Sequence, residues 1–343
     1  DPRVVVKAGE LAAAWGVTDA SKALSGLLFT SADPAIRFSA AVSLRTLASP
    51  DSVGALLEAS NDQAAMVRAE ACAALAAVAM KTSEKSEKSE KSEIRGALRA
   101  RLADSAPVVR AAATNALGQV GTMEDVRVVV ARFEDPDVGV VAAAARATGE
   151  IGGNEAIPAL LQLLDSPDAP VESAAVRALG VLGAKPAVAP IILLLASPDQ
   201  SLRMTGLEAL RRIGDPRALE AVLDLAGDPD PAVSRRVAWA TAAFYDAGSL
   251  PKVLSLLGDP DARVRATGVL TLGFLSEQRA AAQVMALLAD PDPIVRRAAA
   301  EAVGLLSVPE ASVPLSRLYT EDPDPAVREI AHASMERLGP AGR

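Results

Sequence analysis

Residues 259–275 read DPDARVRATGVLTLGFL and residues 290–306 read DPDPIVRRAAAEAVGLL, and the alignment of these two stretches decides the fold. Both are copies of one phrase, D-P-D-x-x-V-R-x-x-A-x-x-A-L-x-x-L-G. Anchored on its Arg, the copies place Arg37, Arg68, Arg110, Val141, Glu172, Arg203, Ser234, Arg265, Arg296 and Arg328 in one slot. Successive slots lie 31 residues apart, except for one interval of 42 and a last interval of 32. The 42 equals 31 plus 11, and the surplus matches the low-complexity run Ser83 to Glu93, SEKSEKSEKSE. A degenerate earlier copy is anchored near Val5. Self-similarity held at one such period is the signature of a repeat architecture.

Each unit reads as two helices. The first opens with Asp and Pro, residue types suited to an N-cap and a first turn. Counting from the Arg slot, position +3 is small in nearly every copy (Ala40, Ala71, Ala113, Gly206, Gly268), so a neighbouring helix can press against the backbone there. Positions +3, +7 and +10 share one helical face. Gly121, Gly152, Gly183, Gly214 and Gly339 fall at +11, where a left-handed C-cap would end the helix. The second helix carries apolar residues in i, i+3, i+4, i+7 order, as in Ile157, Leu160, Leu161 and Leu164. Neither helix can bury its stripe alone, so the units must stack. The expected fold is all-α: a right-handed α-solenoid of about ten helical hairpins plus a terminal half repeat. It forms a single array over residues 1–343 with an insertion at 83–93.

Composition supports this architecture. Half of the residues are hydrophobic, but the aromatics are two Trp, two Tyr and five Phe. Small aliphatic side chains demand close helix approach. A formal charge of −8, from 35 basic and 43 acidic residues, counts against a nucleic-acid partner. The single cysteine, Cys72, excludes an intramolecular disulfide framework and a cysteine zinc site. No apolar run approaches a membrane span. These features favour a cytoplasmic location, with export left open because the chain starts at Asp1 rather than Met.

The 31-residue hairpin with its D-P-x-x-x-V-R-x-x-A-x-x-A-L-x-x-L-G phrase resembles the short HEAT repeats first noted in phycobilin lyases. It is also similar to designed proteins built on that consensus. The resemblance covers essentially the whole chain and implies a solenoid whose relatives include scaffolds, accessory subunits and a few enzymes.

Six residues before the successive Arg slots stand Ser31, Asp62, Asp104, Asp135, Ser166, Ser197, Asp228, Asp259, Asp290 and Asp322. The repetition predicts a structural ladder of carboxylates and guanidiniums, with Asp104, Arg110, Asp259, Arg265, Asp290, Arg296, Asp322 and Arg328 among its members. A metal site would need carboxylates converging on one point, whereas a repeat spacing of ~10 Å keeps them apart. The ladder breaks at Val141, Glu172 and Ser234, which predicts weaker coupling between residues 135 and 240.

Catalysis finds no constellation. His332, the single histidine, and Cys72 both occupy slot +4, filled elsewhere by Ala41, Ala145, Val176, Ala238 and Ala300, so both read as packing residues. No phosphate-binding loop and no nucleophile elbow is present. One histidine cannot furnish the ligand pairs of the di-iron hydroxylases that resemble this fold, and no cofactor or metal is expected. Candidate partner contacts are few. Arg99, Arg101 and Arg132 belong to a local basic cluster on second helices, where a solvated face is the plainer reading. Trp239 and Leu270 replace polar or small residues at +5, with Phe274 four positions on, and suit either a protein contact or local gap-filling. Leu193 lies in a neutral row ten residues before the Arg slots, with Ala100, Ala131, Gln162, Asp224, Ser255 and Ala286. In a HEAT array that row lines the concave side, and a lightly charged groove suits an extended peptide or helix. The insertion reads as a mobile or marginally helical loop. The expected function is a non-catalytic interaction scaffold for a protein partner. The alternatives are an accessory subunit of a bilin-lyase-like enzyme and, with less support, a HEAT-like DNA-binding protein.

Overall fold

The computed structural model describes residues 7–9, 11–12, 14–17, 20–81, 88–246 and 248–339. Every regular element among them is helical. The chain forms two compact units, Asp1–Leu182 and Gly183–Arg343. In the first unit the first helices are Pro34–Leu47, Ala65–Lys81, Pro107–Val120, Val138–Ile151 and Ala169–Val181. In the second they are Gln200–Ile213, Pro231–Thr241, Ala262–Phe274, Pro293–Leu305 and Pro325–Leu338. All ten first helices therefore sit on the ten Arg slots, and short second helices alternate with them. Within each unit successive first helices pack side by side, as a solenoid requires.

The two aspartates of D-P-D divide the work of starting a first helix. The N-cap is the second one: Asp33, Asp199, Asp230, Asp261, Asp292 and Asp324 each accept from the backbone N–H two residues on. Proline follows at the first helical position in four of these, where its missing N–H would have had no partner in any case. Several second helices end in a tightened 3₁₀ turn, such as Leu163–Asp165, Leu256–Gly258 and Leu287–Ala289, which delivers the chain into the next D-P-D.

Close approach occurs at two levels. The small residue at +3 meets the second helix before it: a Cβ on Gly268 would lie 2.7 Å from the Leu256 Cβ. A second contact, between first helices, runs from +8 of one repeat to +6 of the next. A Cβ on Gly118 would lie 2.9 Å from the Ala147 Cα, one on Gly149 2.9 Å from the Ala178 Cα, and one on Gly273 3.0 Å from the Ala302 Cα. Slot +6 holds only Ala, Ser or Thr in all ten copies. Leucines at +7 (Leu44, Leu75, Leu117, Leu179, Leu210 and Leu272) are fully buried beside this seam. The seam is intact around Val141, where the Arg slot is empty. Gln200–Ile213 and Pro231–Thr241 pack least closely of the neighbouring first helices in either unit, within the 135–240 stretch. Slot +8 there is Arg211, but Arg45 fills the same slot where Pro34–Leu47 and Ala65–Lys81 pack more closely.

The +11 slot is left-handed at Gly152 and Gly214, and three non-glycine residues adopt the same conformation there, Ala48 (φ 46°), Ser276 (φ 53°) and Ser307 (φ 54°). Gly121 departs from the expectation, closing its helix in an extended conformation at φ −68°. Slot +11 of the second copy is Ala79, and there the helix continues to Lys81. Residues 83–87 of the SEK insertion lie outside the described residues, whereas 88–93 form the first turns of the helix Lys88–Arg101, so that half is regular helix rather than loop.

A side chain in the left-handed region costs about 1–2 kcal/mol, partly offset by the unfolded-state entropy that glycine brings. Ala48→Gly, Ser276→Gly and Ser307→Gly should therefore each raise stability by about 0.5–1 kcal/mol in chemical denaturation. Amide exchange should be slow through Val138–Val181 and faster across Gln200–Thr241; minimum protection around Val141 would contradict this account of the seam.

Candidate interaction surfaces

The charged ladder has one repeating geometry. Arg265 donates from Nε and Nη2 to the two Asp290 carboxylate oxygens, both at 2.9 Å. Its Nη1 donates to the Asp259 and Pro260 carbonyls of its own repeat, at 2.8 and 3.1 Å. Asp290 also accepts from the Asp292 N–H at 2.9 Å, so one carboxylate joins the preceding repeat to the turn that starts its own helix. The same pattern binds Arg37 to Asp62, Arg68 to Asp104, Arg110 to Asp135, Arg203 to Asp228 and Arg296 to Asp322. These pairs are largely buried: the guanidinium side chains are 11–14% exposed and the carboxylates 3–10%.

Each Arg thus reaches forward to the acid of the following repeat. Ser166 follows the Arg-less Val141, so arginine and carboxylate are lost together and no acid is stranded at that joint. Asp259 follows Ser234 and keeps only the Asp261 N–H, while Ser234 Oγ donates to the Asp228 carbonyl at 3.2 Å. Arg328 bonds the Asp322 and Pro323 carbonyls. The guanidinium beside each acid holds Asp62, Asp104, Asp135 and Asp322 below the usual carboxylate range. At Asp290 burial pushes the carboxyl up, and the bonds from Arg265 and the Asp292 N–H outweigh it.

The basic residues of the second helices serve neighbouring repeats. Arg99 Nε donates to the buried Asp125 carboxylate at 2.5 Å. Arg101 Nη1 reaches the Ser60 carbonyl at 3.3 Å, and Arg132 Nη1 the Leu102 carbonyl at 3.0 Å. Both occupy the slot nine residues before the Arg position, where most other copies have Leu, and both end on the backbone of the preceding second helix. That shared substitution at the repeat spacing was the available signal for a stapling role. Leu193 stands apart, 76% exposed. Ala100, Ala131 and Gln162 in the first unit, and Asp224, Ser255 and Ala286 in the second, are exposed in the same row.

Trp239 is flanked by the Arg211 and Arg236 guanidiniums, 4.0 and 4.9 Å from its ring centroid. Phe274 lies 5.4 Å beneath Arg235, and Leu270 is half-buried next to it. Thr241, in the usual Leu slot, is buried and donates to the Val237 carbonyl. Tyr245 donates its hydroxyl to Glu277 at 2.5 Å. Cys72 is buried, and that burial pushes its thiol up to about 12, far from a reactive thiolate. His332 departs from its packing expectation: the side chain is half exposed and stacks on Tyr319 with centroids 4.9 Å apart. Among the described residues, no three His, Cys, Asp or Glu side chains group in a way that could hold a metal, and no helix is long and apolar enough to cross a membrane.

The sequence pattern of HEAT repeats matches residues 1–76, 94–180, 188–266 and 250–336, and the chain belongs to the HEAT-repeat family. No curated protein matches it at a significant level. Among solved structures it is similar to Kap95p in complex with RanGDP (15% identity, TM-score 0.63, over 98% of this chain and 54% of that one). It is similar to the karyopherin Kap121p bound to the extreme C-terminus of the protein phosphatase Cdc14p (15% identity, TM-score 0.61, over 94% and 42%). The YibA protein of E. coli aligns over 75% of this chain and 96% of its own, with 20% identity and a TM-score of 0.53. At these identities the likeness is one of fold.

The lowered carboxyls set the sign of the acid response. Their bonds stabilise the folded chain fully above the ordinary aspartate value of 3.8 and are lost as pH falls through the lower folded values. Unfolding midpoints should therefore drop below pH 4, and Asp322→Asn should flatten that acid limb. Arg296→Met strands the Asp322 carboxylate and should cost about 2–3 kcal/mol at neutral pH, more than the joint Arg296→Met and Asp322→Leu change.

Proposed function

We propose that the chain is a non-catalytic scaffold that receives a protein partner, as an extended peptide or a helix, along the face carrying its second helices. The observation that carries this reading is the exposed row ten residues before the Arg slots. Four of its members in the first unit and four in the second face solvent, and only Glu58 and Asp224 among these eight are charged. Neighbouring arginines are turned away from that row, because Arg101 and Arg132 are held on backbone carbonyls of the preceding helix. A row of mostly uncharged side chains on preformed helices lets a partner make many modest contacts with little ordering cost. Kap121p, which shares the fold, is bound to a segment of Cdc14p, and this supports a protein ligand. With its thiol held at about 12, Cys72 adds no nucleophile to the array.

Leu193 is the test site, since its 76% exposure means that a charge there leaves packing untouched. Affinity capture from the native cell with wild type and Leu193→Glu should show one or more partners lost from the variant, with both proteins unfolding at the same temperature. Equal recovery by both would refute the second-helix face as the receptor.

A further inference from the structure

We infer that the opposite face of the second unit, carried by its first helices, is a receptor for an acidic segment of a protein partner, gripped by guanidiniums held on Trp239 and Phe274. Slots +1, +2, +5, +8 and +9 share one side of each first helix. Across the four helices from Gln200 to Leu305 those slots contain Arg211, Arg212, Arg235, Arg236 and Arg297, against Glu208 and Glu301 as the sole acids. A chain whose overall charge is −8 therefore carries a local excess of three positive charges on this side, from five arginines and two glutamates.

The arrangement fixes four of these arginines, Arg211, Arg212, Arg235 and Arg236, rather than leaving them to wave in solvent. Arg211 and Arg236 lie 4.0 and 4.9 Å from the Trp239 ring centroid, and Arg235 lies 5.4 Å from that of Phe274. Glu208 holds Arg211 and Arg212 by hydrogen bonds of 2.8–3.1 Å and lies 3.5 Å from Arg236. Glu301 takes both terminal nitrogens of Arg235 from two repeats away, at 2.9 and 2.6 Å. One carboxylate cannot saturate the fork of three arginines. A guanidinium stacked on a ring face also keeps its in-plane N–H donors at the edge, where a carboxylate binds. Little side-chain entropy remains to be lost when an anion arrives.

The occupant that fits is a short run of carboxylates on a polypeptide. The basic area ends after four helices, and the excess of acid elsewhere in the chain opposes a long polyanion. This surface is independent of the second-helix face, so the behaviour of Leu193→Glu does not bear on it.

Trp239 can report on its own site, because the chain has one other tryptophan, Trp15. In Trp15→Phe protein at low ionic strength, decaglutamate should produce a saturable change in Trp239 emission. Affinity should fall roughly tenfold or more on raising salt to about 0.2 M. Arg212→Ala with Arg297→Ala removes two exposed cations that do not stack on Trp239, and should weaken binding by roughly tenfold while the unfolding midpoint is kept. No saturable change, an equal response to decalysine, or unchanged affinity in that double variant would each overturn the assignment. Tighter binding of a single-stranded oligonucleotide than of decaglutamate would overturn it in favour of a nucleic-acid surface.

Discussion

Backbone contact between successive first helices is the constraint from which the rest of the molecule follows. Gly118 on Ala147, Gly149 on Ala178 and Gly273 on Ala302 bring main chains together at a distance that no larger side chain permits. At that spacing a leucine at +7 is fully buried, the second helix before it can rest on +3, and the next D-P-D turn arrives within reach of an arginine. The aliphatic, aromatic-poor composition is thus a packing requirement. Beside Arg211, where neighbouring first helices pack least closely, Trp239 lies against two guanidiniums.

Charge and packing are separate devices in this chain. The buried bridges set register, since a bidentate fork accepts only one placement of its acid. Backbone contact supplies the proximity. At Val141 the fork and the following acid are both absent, yet the helices remain in close contact through Gly118 and Gly149. The sequence reading placed the weak stretch across residues 135–240, because the breaks in the charged ladder are conspicuous. The alternation of small residues at +6 and +8 is easy to overlook in a chain rich in alanine.

Legibility followed periodicity. The hairpin period, the position of the insertion and the identity of the first helices all depend on spacing, and spacing is carried by Asp, Pro and Arg at fixed intervals. The N-cap was less legible, because both aspartates of D-P-D are chemically suited to it and only the backbone conformation separates them. Left-handed Ala48, Ser276 and Ser307 were hidden for a related reason: nothing in an alanine or serine advertises φ > 0 unless it is read against the glycines at the same slot. The surfaces were least legible. Arg101 and Arg132 looked like solvated charge until their common slot showed them reaching the previous repeat, and Trp239 looked like an isolated apolar group until Arg211, 28 residues earlier, was found over its face.

The forward direction of the bridges bears on how such an array can be lengthened or shortened. A fully equipped unit brings an acid for the unit behind it and an arginine for the unit ahead, so a tandem copy of such a unit is compatible with its parent on both sides. Units that lack the arginine are tolerated where the next one has exchanged its acid for serine, as at Val141 and Ser166. Recombination within the gene therefore has safe and unsafe break points. Cutting between an arginine and the acid it serves splits a matched pair between two products, whereas cutting between the acid and the arginine of one unit keeps each pair whole. Asp259, left without a guanidinium behind Ser234, is the kind of mismatch that an unsafe exchange or a later arginine loss leaves behind.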